Sequence, residues 1–219
     1  MDLVPVIDAG LAFDESALDA LATVKKIIIH HTAGSGGESV EDIHAFHRRQ
    51  GWAGIGYHYF IDHSGQVFRG RPHWAIGAHA YGHNSCSLGV CLAGNFCDQI
   101  PTVGQLRSLI YLASDLCAQS WIDVDAIVGH GFIPGGDNDT ACPGNNIMAV
   151  MPFIREKVAA ILRSEEFERL SAVAAVSEIA AISAADLTYY QNYDNELVGQ
   201  LAEVVDFLKS ESEGAYHGQ

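Results

Sequence analysis

The feature that most constrains the fold is the run Ile27-Ile28-Ile29, which is followed directly by His30 and His31. A continuous β-branched run without polar alternation is typical of a strand that is buried on both faces of a sheet. Such a sheet needs helices on both sides, because each face must be covered by an apolar layer. The run therefore predicts an α/β fold.

The rest of residues 1–163 alternates between strand and helix signals. Ser39 is placed to cap a helix, and Thr102 is placed to cap another that runs to Leu116. We expect Pro152 in the first turn of a last helix that ends near Arg163. Strands are predicted at residues 27–29, 57–61, 66–68, 88–93 and 126–128, the second and third forming a hairpin around a glycine turn. The pattern predicts a mixed central β-sheet flanked by helices, with the chemistry in loops that follow strand ends.

Charge separates the last quarter of the chain from the rest. The net charge is −15, and residues 164–219 contain eleven acidic and only two basic residues. An acidic balance of this size disfavours a nucleic-acid binder, which needs a basic face to meet phosphate. Apolar residues there recur every three or four positions, which favours acidic amphipathic helices. We therefore divide the chain into a domain at 1–163 and an acidic C-terminal helical tail at 164–219, through which oligomerisation is possible.

No membrane insertion is expected, since no apolar run approaches the ~18–20 residues that span a bilayer. The first residues lack a basic start followed by an apolar run, so we expect no signal peptide. The five cysteines are odd in number and show no framework spacing, which favours reduced thiols, with Cys91 and Cys117 buried as small apolar side chains.

Three side chains of metal-binding type follow predicted strands. His30 follows the isoleucine run, His130 follows the strand near 126–128, and Cys142 comes twelve residues later. Two imidazoles and a thiolate suit zinc, and three protein ligands leave a fourth position for a water molecule. Eleven histidines also make coincidental spacings common, so that each single pairing is weak support.

Several separated motifs strengthen this interpretation when they are taken in order. The sequence resembles the zinc-dependent N-acetylmuramoyl-L-alanine amidases of the type-2 family, which include amidase-type phage lysozymes and peptidoglycan recognition proteins. The resemblance covers roughly residues 25–160 and leaves out the acidic tail. The matching segments are Ile28-Ile29-His30-His31-Thr32-Ala33-Gly34, Gly51-Trp52, Gly56-Tyr57-His58-Tyr59-Phe60, Gly77-Ala78-His79-Ala80, Ser87-Leu88-Gly89-Val90, Gly94-Asn95-Phe96 and Thr140-Ala141-Cys142-Pro143-Gly144.

The resemblance implies roles for individual residues. His30, His130 and Cys142 match the zinc ligands, and Tyr57 matches the active-site tyrosine. Thr140 stands where some phage members carry a lysine and is the second predicted catalytic residue. Threonine can orient a water molecule or donate a hydrogen bond, but it cannot act as a titrating acid at neutral pH. The implied reaction is zinc-dependent hydrolysis of the amide between N-acetylmuramic acid and L-alanine in peptidoglycan.

Substrate contacts are expected from two further residues. His79 matches a recurrent family position and is predicted to line the groove for the muropeptide stem. Arg71 is predicted to bind a substrate carboxylate through its forked guanidinium, with a surface ion pair as the alternative.

Other functions remain open from the sequence. One is a module that binds peptidoglycan without cleaving it, and another is a cysteine hydrolase with Cys142 as nucleophile and His130 as base. For an amidase, the expected setting is a phage endolysin that is made in the cytoplasm and acts on the cell wall after release. A cytoplasmic wall-recycling amidase or an effector secreted by another route are the alternatives.

Overall fold

Six strands form the central sheet of the computed structural model, which describes residues 3–135 and 139–163. The strands are β1 (Val6–Asp8), β2 (Lys26–His31), β3 (Tyr59–Ile61), β4 (Val67–Arg69), β5 (Ser87–Leu92) and β6 (Ile127–Gly129). Their order across the sheet is β1-β4-β3-β5-β2-β6, and the β3–β4 hairpin is antiparallel while the other neighbours are parallel. The predicted mixed sheet is thus confirmed.

Helices cover both faces of this sheet. The long helices α2 (Val103–Ser120) and α3 (Asn145–Arg163) pack together on one face, where Ile27 and Ile29 contribute to the main core. Helix α1 (Val40–Arg49) packs on a second apolar cluster that contains Phe60 and Cys91. Ile28 belongs to a third cluster, so the isoleucine run is buried on both sides, as its composition predicts.

Local capping signals set where α1 and α2 begin. Ser39 accepts the backbone N–H of Asp42, whose carboxylate in turn accepts the N–H of Ser39. Thr102 and Gln105 form the same reciprocal pair at the start of α2. Such capping boxes satisfy backbone donors that have no partner within the helix, and both predicted helix starts are confirmed.

The prediction for the last helix was wrong at its start. Helix α3 begins at Asn145, so Pro152 lies in its interior rather than in its first turn. Proline removes one helical hydrogen bond, and Pro152 itself lies exposed on the helix. Strand β1 was not predicted, because three residues after Pro5 carry too short a pattern to recognise.

Two further expectations concern membrane insertion and the acidic tail. No helix within residues 3–135 and 139–163 has the length and apolarity needed to cross a bilayer. The acidic tail at 164–219, and oligomerisation through it, lie outside the described residues.

The parallel pairing of β2 with β5 and β6 positions the candidate site. His30 and His31 are the last residues of β2, and His130 comes directly after β6. Because parallel strands end at the same edge of a sheet, these side chains meet at one edge.

Candidate metal centre and active site

The three predicted metal ligands come together in the structure. One donor atom from each of His30, His130 and Cys142 lies within 4.8 Å of the other two, and no other such group occurs in the described ranges. The rings of His30 and His130 have their centroids 4.6 Å apart, and Cys142 Sγ lies 3.6 Å from His30 Nδ1. This group could hold a metal ion.

Backbone hydrogen bonds hold Cys142 against the two strand ends. The Gly131 N–H donates to the Cys142 carbonyl at 2.6 Å, which ties the cysteine to the residue after His130. The His31 N–H donates to Cys142 Sγ at 3.4 Å. Thr140 Oγ1 accepts the Cys142 N–H at 3.2 Å, so the predicted catalytic threonine also shapes the turn before the ligand.

The electrostatics of the group suit a cation. Burial lowers the pKa of His30 well below its ordinary value, and neighbouring His79, His130 and His31 lower it further. Burial raises the pKa of Cys142 to about 12, although the His31 N–H works in the opposite direction. The His30 imidazole is therefore neutral and can offer a lone pair to a metal ion. The buried Cys142 thiol would release its proton when a cation binds.

Tyr57 lies beside this group, as the resemblance implies. Its ring centroid is 5.0 Å from that of His30 and 5.5 Å from that of His47. Burial raises the pKa of Tyr57 well above its ordinary value, with the thiols of Cys91 and Cys142 adding to the effect. The phenol is thus protonated and able to donate a hydrogen bond.

The segment before Tyr57 is fixed by two histidines that the sequence analysis did not identify. His44 Nδ1 accepts the Ile55 N–H at 3.3 Å, and His47 Nδ1 accepts the Gly56 N–H at 3.2 Å. Their spacing of three residues on α1 places them on one helix face, but only the fold brings that face to this loop.

Arg71 is buried rather than placed on an open surface. Its Nε and Nη1 each donate at 2.9 Å, to the carbonyls of Ile55 and Ile76, and its Nη2 donates to the Gly54 carbonyl at 3.5 Å. No carboxylate within the described ranges forms an ion pair with it, so the surface ion pair is not observed. Substrate binding by Arg71 stays a prediction, and it would depend on the two remaining N–H groups.

His79 lies behind His30 and is 8 % exposed. Its Nδ1 lies 3.0 Å from His30 Nε2, and its backbone N–H donates to Asn84 Oδ1 at 2.8 Å. Asn84 thereby braces the site. The groove-lining role of His79 stays a prediction, since its ring contacts His30 and His58 in the structure.

A buried histidine next to this site predicts acid sensitivity. His58 Nδ1 accepts the Gly89 N–H at 3.0 Å and Nε2 donates to the Ala75 carbonyl at 2.9 Å, so both nitrogens are used by the neutral ring. Burial lowers the pKa of His58 to about 4 from 6.5. The unfolded chain therefore takes up a proton between pH 6.5 and 4 while the folded chain does not, and stability falls as the pH decreases through this window.

The expected loss from His58 alone is about 3 kcal/mol, complete near pH 4 and absent above pH 6.5. Urea unfolding of the metal-free protein at pH 7.5, 5.5 and 4.5 measures it, with His58→Gln as the comparison. If the free energies of unfolding of wild type and variant decrease in parallel over this range, His58 is not the group responsible.

Comparison with known proteins agrees with the resemblance. The sequence profile described as N-acetylmuramoyl-L-alanine amidase matches residues 20–145. The endolysin of Enterobacteria phage T3 is 37 % identical over 105 residues, which are 45 % of this chain and 70 % of that protein. Peptidoglycan-recognition protein SC2 of Drosophila melanogaster is 35 % identical over 128 residues, covering 55 % of this chain and 68 % of the relative.

Solved structures lead to the same group of proteins. The N-acetylmuramoyl-L-alanine amidase LysC from Clostridium intestinale is 32 % identical, with a TM-score of 0.60, and the match covers 72 % of this chain and 97 % of that one. The related endolysin amidase LysCS from the same organism has a TM-score of 0.58 at 32 % identity, covering 65 % and 88 % of the two chains. The profile match extends over more than half of the chain and includes all three grouped ligands, His30, His130 and Cys142. The chain therefore belongs to the N-acetylmuramoyl-L-alanine amidase family.

Proposed function

We propose that this chain is a zinc-dependent N-acetylmuramoyl-L-alanine amidase, which hydrolyses the amide between N-acetylmuramic acid and the first L-alanine of the stem peptide. The observation that carries the proposal is the meeting of His30, His130 and Cys142 beside Tyr57. Residues 1–163 form the amidase domain in this proposal, and residues 164–219 are an appendage. Its setting is that of an endolysin, which acts on the cell wall after release.

The donor set fits zinc in chemistry and in spacing. A tetrahedral zinc ion with bonds of ~2.3 Å to sulfur and ~2.0–2.1 Å to nitrogen separates those two ligand atoms by about 3.6 Å. Cys142 Sγ and His30 Nδ1 lie 3.6 Å apart. When bound, zinc supplies Lewis-acid polarisation of the scissile carbonyl and lowers the pKa of a water molecule. His30, His130 and Cys142 would hold the ion, leaving one position open.

Tyr57 and Thr140 are the side chains that form hydrogen bonds with the reacting groups in this proposal. The Tyr57 phenol is kept protonated by burial and by its hydrogen bond with Cys91, and in this proposal it donates a hydrogen bond to the oxygen on which negative charge develops. Thr140 Oγ1 already accepts the Cys142 N–H, so its own proton is free to orient a water molecule or the substrate amide. Neither side chain titrates near pH 7, and the proton for the leaving amine comes from the water that attacks.

The test is digestion of purified peptidoglycan by three preparations: the zinc-loaded protein, the chelator-treated protein, and the chelator-treated protein after zinc is restored. We expect the first and third to release stem peptides with a free L-alanine amine, identified by mass spectrometry, and no new reducing sugars. Chelation should lower the rate at least about 10³-fold, since the metal supplies several kcal/mol to the transition state. Free stem peptides at the same rate after verified zinc removal would contradict the proposal.

A binding module without activity is the second candidate, because the relatives include peptidoglycan-recognition proteins. The same preparations separate the two functions when sedimentation with insoluble wall is measured beside digestion. Sedimentation by all three preparations without any released peptide would establish the binding module and exclude the amidase.

A further inference from the structure

The ring of His30 lies between two partners. Its Nδ1 lies 3.6 Å from Cys142 Sγ, on the side of the ligand group, and its Nε2 lies 3.0 Å from Nδ1 of His79. A neutral imidazole that binds a metal through one nitrogen carries its proton on the other. If Nδ1 of His30 is the metal-binding atom, Nε2–H donates to His79, and Nδ1 of His79 is the acceptor.

The tautomer of His79 follows from that of His30. With Nδ1 accepting, the neutral ring of His79 carries its proton on Nε2. This atom is buried and makes no hydrogen bond of ordinary geometry, although the backbone of Ser87 acts as a hydrogen-bond acceptor toward the ring. A buried N–H with a poorly aligned acceptor gains little over an apolar side chain of similar size. Packing alone therefore does not account for a histidine at this position.

Close contacts prevent the His79 ring from turning toward another partner. A Cβ on Gly77 or on Gly89 would collide with the ring, so both glycines leave the space that it fills. Asn84 Oδ1 accepts the N–H groups of His79 and of Ala80, each at 2.8 Å, which fixes the backbone.

His58 packs edge-on against this ring, with centroids 5.6 Å apart. Both nitrogens of His58 already bond to the backbone of Gly89 and Ala75, so neither can accept a hydrogen bond from Nε2 of His79. The other ring nitrogen of His79, Nδ1, is directed at His30 Nε2.

We propose that His79 is a positioning residue that holds His30 in the orientation and tautomer in which Nδ1 binds the metal. This inference rests on the proposed function in taking His30 as a ligand. It differs from the predicted groove contact of His79, because the acting atom faces the ligand and not the substrate. His79 would act on metal affinity through His30, with no contact to the reacting atoms.

The test compares His79→Leu, which removes the acceptor, with His79→Asn, whose Oδ1 can take the place of Nδ1. Zinc affinity is measured by competition with a chromophoric chelator, and the visible spectrum of the Co²⁺-substituted protein reports the ligand geometry. We expect about a 10- to 100-fold loss of affinity and an altered spectrum for His79→Leu. Most of the loss should be recovered in His79→Asn. His73→Leu, at a half-buried histidine bonded to the Tyr59 hydroxyl, is the matched control and should bind zinc as wild type does.

The tautomers can also be measured without any variant, which covers the case of a variant that does not fold. In the zinc-loaded wild type, long-range ¹H–¹⁵N correlation spectra should show the proton on Nε2 of both His30 and His79. A proton on Nδ1 of His79, or a zinc affinity of His79→Leu within threefold of wild type, overturns the inference while leaving the amidase proposal intact. A wild type that binds no zinc overturns both.

Discussion

Cys142→Ser should abolish zinc retention and lower the rate of stem-peptide release at least about 10³-fold. Cys142 Sγ is the single sulfur of the ligand group, and it lies 3.6 Å from His30 Nδ1. A serine hydroxyl at this position is a poor ligand, because it keeps its proton at neutral pH. Zinc content after dialysis and the rate of peptide release from purified wall measure the two effects together.

The matched control is Cys86→Ser, since Cys86 is a free, partly buried cysteine that lies just before β5. The parallel register pairs the start of β5 with the start of β2, so Cys86 lies at the sheet edge opposite to the ligands. This variant should keep its zinc and its activity. Zinc bound at wild-type stoichiometry in Cys142→Ser would remove the thiolate from the ligand set.

Activity loss in Cys142→Ser is also expected for a cysteine nucleophile. Alkylation of the protein with and without zinc distinguishes that mechanism from a zinc site. A thiolate bound to zinc is shielded, so iodoacetamide should inactivate the zinc-loaded enzyme slowly and the chelated protein quickly. For a cysteine hydrolase the chelator would leave the rate unchanged, and alkylation would inhibit with or without zinc. Comparing the two preparations decides between the mechanisms.

Elements with a local signal could be predicted from the sequence. The capping boxes at Ser39 and Thr102 involve residues only three positions apart, and the doubly buried strand is encoded in three consecutive isoleucines. Strand β1 gains its stability from pairing with β4, about sixty residues later. That pairing leaves no mark within a segment of three residues, so only the three-dimensional structure reveals it.

The candidate site could likewise be predicted from the sequence only in part. The ligand types and the motifs around them pointed to His30, His130 and Cys142, and the structure brings these together. The hydrogen bonds of the Arg71 guanidinium could not be predicted, because its acceptors are backbone carbonyls, which every residue carries. The contact between His30 and His79 joins residues 49 positions apart, and it depends on which nitrogen each ring presents.

Gly131→Ala should weaken zinc binding although it changes no ligand. A Cβ at this position would collide with the carbonyl of Thr140 and lie 3.0 Å from that of Cys142. Both neighbours are backbone atoms, and the Gly131 N–H is already bonded to the Cys142 carbonyl at 2.6 Å. The collision can be relieved only if the segment with Cys142 moves away from the segment with His130.

Such a movement separates two ligands whose metal bonds tolerate about 0.2 Å. We expect a loss of zinc affinity on the order of 10²-fold, and the overpacking should lower the free energy of unfolding of the metal-free protein by roughly 1–3 kcal/mol. Chelator competition measures the first effect and urea unfolding the second. The two measurements separate a weaker metal site from a less stable fold, since a variant that is only less stable would still bind zinc normally at low temperature.

Gly37→Ala provides the comparison for this change. Gly37 is exposed, and an added Cβ would meet only Ser35 Oγ at an ordinary contact distance of 3.7 Å. It should leave zinc affinity unchanged, and any effect on stability should be small. If Gly131→Ala also binds zinc as wild type does, the approach of the two ligand-bearing segments tolerates a methyl group. The geometry of the centre would then be set by the ion and its three ligands, and not by the backbone packing that the structure shows between them.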